Sequence, residues 1–110
     1  MNLEKSLEVS LLNDFYGKLL TDKQEAMLVD YFDNNMSLAE IAENNGVTRQ
    51  AIRDSLVKSQ KLLYEFEEKL GFMKKNLGLK AKLTEILLND TLTLKECKQK
   101  LKALLDEWED

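Results

Sequence analysis

SLAEIAENNGVTRQAIRDSL, residues 37 to 56, carries the fold in its order of residues. Ser37 followed three residues later by Glu40 is the capping-box pattern that opens a helix. Leu38, Ile41 and Ala42 mark the buried face of that helix, and small Ala42 lets a second helix approach closely. Gly46 stands where a tight turn needs a positive φ, which glycine adopts at little cost. Val47 is expected to plug the corner, and Thr48 to cap the second helix through its hydroxyl. Ile52 and Leu56 then give that helix its apolar stripe, with Arg49, Gln50 and Arg53 on the outer side. Arg can hydrogen-bond guanine bidentately, and Gln can do the same with adenine in a major groove. The pattern predicts a helix-turn-helix with a recognition helix for double-stranded DNA. Two residues run against it: polar Asn45 beside the turn, and Asp54, a negative charge where phosphates would lie.

Flanking segments extend the helical reading. A first helix is expected from about Leu3 to Leu20, with Leu7, Leu11, Phe15 and Leu19 at four-residue steps and Leu12, Tyr16 and Leu20 widening the stripe. Thr21 and Gln24 repeat the capping-box spacing and open a helix that buries Met27, Leu28, Tyr31 and Phe32 before the Asp33-Asn34-Asn35 turn. The recognition helix runs on to about Leu70 along a heptad-like seam of Ile52, Leu56, Ser59, Leu63, Phe66 and Leu70, with Gly71 placed to end it. Residues 1–70 thus read as a helical domain holding the helix-turn-helix at 37–56. Residues 71–110 read as a C-terminal helical extension, packed on the same domain or at a dimer interface. In that extension Leu79, Leu83, Ile86 and Leu87 share one side of a helix, Asn89-Asp90 breaks it, and Thr93 with Glu96 caps the last one. The last helix carries a seam of Leu94, Cys97, Leu101, Leu104 and Trp108, of which Leu94, Leu101, Leu104 and Trp108 are candidates for a homodimer contact. The fold class expected is all-α.

The 110 residues include no proline and only four glycines, so long uninterrupted helices are expected. No stretch approaches the roughly 20 apolar residues of a membrane span, and MNLEKSLEVS lacks the core of a signal peptide. One cysteine rules out an internal disulfide, so a cytoplasmic setting is expected. The net charge of −4 disfavours a protein coated for nucleic acid, but the charge is unevenly spread. Residues 48–61 hold Arg49, Arg53, Lys58 and Lys61 against Asp54 alone, while residues 1–36 are acidic. Four cations make a shallow electrostatic footprint, which pairing of two copies would double. The extension, with eight Lys and seven acids, reads as a mixed, solvated surface.

Enzyme chemistry finds little support. There is no histidine, which removes the commonest general base and metal ligand. Cys97 falls on an apolar seam, no glycine-rich phosphate loop exists, and Asp33-Asn34-Asn35 lacks the ligand spacing of a calcium loop. No metal, cofactor or catalytic role is expected.

The stretch Leu20-Thr21-Asp22-Lys23-Gln24, the helix after it, Ser37 to Ala42, Gly46-Val47-Thr48-Arg49 and the continuation to Leu63 resemble the promoter-reading region four of bacterial sigma factors. That likeness covers about Leu19 to Leu63. Nearly the whole chain resembles the YlxM family of small bacterial proteins. The resemblance implies a sigma-like helix-turn-helix bundle and a regulatory or accessory link to the signal recognition particle pathway, through its RNA or protein. It also marks Thr48, Arg49, Gln50 and Arg53 as DNA-contacting positions. Three functions stay open at this point: a DNA-binding regulator, an accessory of the signal recognition particle, and a protein-interaction module using the C-terminal helices.

Overall fold

Six α-helices and no strand form among the residues that the computed structural model describes, Ser6 to Trp108. The chain divides into two compact units, Met1–Met73 and Lys74–Asp110.

In the first unit, α1 (Leu7–Tyr16), α2 (Asp22–Leu28) and α3 (Leu38–Asn45) all pack on the long α4 (Arg49–Leu70). Local chemistry sets the helix starts. Both halves of the capping box are made at Thr21/Gln24 and at Ser37/Glu40, satisfying amide groups that have no partner inside the helix. Thr48 Oγ1 accepts from Ala51 N at 3.1 Å and starts α4. Past α2 the backbone widens over Val29–Asp33, where Asn34 N donates to Val29 O at 2.9 Å. Asn35 then takes φ 53°, a left-handed turn that asparagine tolerates better than most side chains. Gly46 has φ 64° and Gly71 φ 65°, so the glycines that close α3 and α4 are needed for their backbone.

Ile52, Leu56 and Leu63 of α4 meet Val9, Leu12 and Tyr16 of α1, Leu20, Met27 and Leu28 from the α2 region, and Ile41 and Ala42 of α3 in one buried core. Polar contacts reinforce it at the edges. Tyr64 Oη donates to Glu8 Oε1 at 2.6 Å, and Ser10 Oγ donates to Asp33 Oδ1. The buried Tyr16 hydroxyl donates to Glu67 Oε1 at 2.5 Å and accepts from Phe72 N at 2.9 Å. Glu67 Oε1 also accepts from Met73 N at 3.0 Å, so Tyr16 and Glu67 together cap α5 (Phe72–Leu88) at its first turn.

Several expectations are corrected. The first helix ends at Tyr16, and Gly17–Leu19 form a tighter turn; the expected start at Leu3 lies outside the described residues. Its buried line is Val9, Leu12 and Tyr16, whereas Leu7 is 78% and Leu19 58% exposed. A run of strict four-residue steps turns about 40° per step at 3.6 residues per turn, so its ends leave a straight core contact. Val47 does not plug the corner but is 42% exposed. Val47 N donates to Ala42 O there, and the core includes Ile41, Ala42 and Ile52 without the Val47 side chain. Leu70, placed at the end of the seam, is half exposed, and Gln60 is buried although the seam omits it.

The second unit pairs the rest of α5 with α6 (Leu94–Trp108), which opens on the Thr93/Glu96 capping box. Lys82 bridges to Glu107 at 2.9 Å, and Lys75 lies 4.7 Å from the Trp108 ring centroid. Leu79, Leu83, Leu101, Leu104, Leu105 and Trp108 line an apolar groove. No residue of α5 or α6 is fully buried, and Leu87, expected on one side of the helix with Leu79, Leu83 and Ile86, is 80% exposed.

Candidate nucleic-acid interface

Burial of Ile52, Leu56, Ser59 and Leu63 along α4 decides which side of that helix faces outward. Arg49, Gln50, Arg53, Lys58 and Lys61 are all exposed, as is Thr48 at the N-cap. Arg49 and Arg53 stand one turn apart, about 6 Å at Cβ, on one flank of the outer face. Gln50, Asp54, Lys58 and Lys61 follow on the neighbouring flank, over a length of roughly 17 Å. None of Arg49, Arg53, Lys58 and Lys61 forms an ion pair with another described residue. Their charge is therefore directed at solvent. Gln50 is different: its Nε2 donates to Asp54 Oδ1 at 2.8 Å, so the amide is held by the acid one turn on. Reading a base through Gln50 would first require that bond to break. Asp54 thus occupies a candidate base-reading side chain as well as opposing phosphate.

Asn45, the polar residue beside the turn, is accommodated without an apolar seal. Its Nδ2 donates to Ile41 O at 2.7 Å, closing the last turn of α3. The start of α4 also borders a shallow groove that includes Thr21, Lys23, Gln24, Val47, Ala51 and Ser55. Lys23 adds an exposed cation beside the recognition helix that sequence patterning does not reveal. It lies in α2, and only the packing of α2 on α4 brings it there. Of the residues expected at a subunit contact, Leu94 is 72% exposed, Leu101 and Trp108 are exposed and Leu104 is half-buried.

A Gly-turned helix pair with an exposed, cationic second helix, set in an all-α bundle, defines a helix-turn-helix protein. The chain belongs to the UPF0122 family, whose model is described as "Putative helix-turn-helix protein, YlxM / p13 like" and matches residues 3–104. A UPF0122 protein of Clostridium perfringens (strain 13 / Type A) is 36% identical over 105 residues, 96% of this chain and 93% of that protein. One of Fusobacterium nucleatum is 47% identical over 79 residues, covering 70% of this chain and 77% of its own length. One of Malacoplasma penetrans (strain HF-2) is 58% identical over 66 residues, 60% of this chain and 62% of that protein. No helix among the described residues is long and apolar enough to cross a membrane.

Proposed function

We propose that this protein is a DNA-binding regulator that places the first turns of α4 in the major groove of a duplex. The observation that carries this reading is the pair Arg49 and Arg53, exposed, one turn apart and unpaired among the described residues, on a helix whose other side is core. In this reading the two arginines reach base edges, Thr48 contributes a hydroxyl at the helix start, and Lys58 and Lys61 meet backbone phosphates. Gln50 joins once its bond to Asp54 is released. Two copies held through Leu94, Leu101, Leu104 and Trp108 would present two such helices, as half-sites about one duplex turn apart require. The test is the double variant Arg49→Ala/Arg53→Ala, titrated alongside the parent against a pool of random duplex DNA. The parent binds with a strong salt dependence, and the variant, with unchanged circular dichroism, binds at least tenfold more weakly. Equal binding by the folded variant and the parent contradicts the reading.

A further inference from the structure

By composition the extension carries a mixed surface, but α6 gathers three of its four lysines on one side. Lys95, Lys98 and Lys102 follow at steps of three and four residues, so they project from one side of the helix. With Leu94 and Gln99 they border one shallow depression of the surface. All three are exposed, and none pairs with a described acid. Two acids of α6 are held by other groups. Glu96 is held by Thr93 N in the capping box, and Glu107 by Lys82 of α5. Asp106 lies one turn beyond Lys102, at the end of the row and on its side, and forms no ion pair with a described residue.

Lys95 sits in the first turn of α6, where the helix dipole disfavours a cation. That cation therefore works against the helix it stands on, and the row gains no partner among the described residues in return. The helix rise spaces it over about 10.5 Å. A duplex carries one negative charge per 1.7 Å or so of axis, hence roughly six phosphates over that length.

We propose that Lys95, Lys98 and Lys102 form a second contact for the phosphate backbone of duplex DNA, carried by the Lys74–Asp110 unit and separate from the contact on α4. This rests on the reading of the protein as a DNA binder. It also supplies what the acidic remainder of the chain lacks, a cationic surface beyond Arg49, Arg53, Lys58 and Lys61 of α4. The row meets phosphates and not bases, so it adds affinity without sequence preference.

Three full-length proteins decide it: the parent, Lys95→Gln/Lys98→Gln/Lys102→Gln, and Arg49→Ala/Arg53→Ala. Each is titrated with duplex DNA across a salt series, and with vesicles of equal parts phosphatidylcholine and phosphatidylglycerol. The lysine variant should keep the parent's circular dichroism and lower the slope of log K against log salt by about 2 to 3, near 0.9 for each phosphate that is no longer neutralised. A Lys→Arg triple variant should restore the slope. Weaker binding by the lysine variant with no change in the arginine variant supports this contact and overturns the role of α4. Weaker binding by the arginine variant alone, with the lysine variant matching the parent, overturns the lysine row and leaves α4 standing. No duplex binding by the parent, or lysines that govern vesicle binding and leave duplex binding untouched, also overturns it.

Discussion

Ile52 and Gln50 stand two residues apart on α4 and have opposite fates. Ile52 is 1% exposed and touches the core, while Gln50 faces solvent and bonds only to Asp54. Ile52→Ala should therefore cost about 2–5 kcal/mol of stability, the transfer and cavity terms together. Gln50→Ala should stay within about 0.5 kcal/mol of the parent. Urea denaturation midpoints of the two variants check the orientation of the recognition helix, and equal midpoints would mean that it faces the other way. At this scale the sequence is legible where a residue acts on its own backbone. Gly46, Thr48 and the Thr21/Gln24 and Ser37/Glu40 boxes need only the geometry of one turn, and each is found as expected. Val47 is not legible in that way. Its exposure depends on what the facing helix leaves open, which no local pattern encodes.

Among the elements, α1 and α4 are joined by a bond with a pH signature. Burial and the bond to Glu8 push the Tyr64 phenol from its usual value of 10.0 up to about 12. The folded state thus holds its proton more tightly than the unfolded chain does. Its contribution to stability is whole below pH 10 and is lost as the pH rises toward 12. Tyr64→Phe should accordingly unfold less steeply with alkali than the parent, measured as the urea midpoint between pH 8 and about 11.5. An unchanged alkaline slope would remove Tyr64 from the account; part of the slope should persist, since burial and Glu67 raise Tyr16 as well. The boundaries of α4 are legible because Thr48 and Gly71 mark both ends. The inner line of α1 is not, since Leu7, Leu11, Phe15 and Leu19 form as plausible a stripe as Val9, Leu12 and Tyr16, and only the position of α4 chooses between them. On α6 the lysine row is present in the spacing, and a charge count over residues 71–110 averages it away.

For the molecule as a whole, the proposed function raises the question of how an acidic chain would hold a polyanion. Two copies joined through α6 would double the cations of α4, and the exposure of Leu94, Leu101 and Trp108 leaves an apolar surface for such a contact. Replacing Leu101 and Leu104 with Gln should convert a dimer to a monomer in sedimentation while the helices remain intact, with DNA binding weakened alongside. A parent that sediments as a monomer across micromolar concentrations contradicts the dimer. The helix-turn-helix formed by α3 and α4 agrees with the description of the UPF0122 family, and the surface of α4 supplies the reason to look for DNA.

The central claim is that α4 reads the duplex, and amide chemical-shift mapping of the labelled protein during a titration with duplex DNA tests it most directly. The account predicts that the largest shifts fall on Thr48 to Lys61 and in the neighbouring Lys23 region, with a second, smaller set at Lys95 to Lys102. Shifts that spare the first turns of α4 while duplex binding proceeds would contradict it.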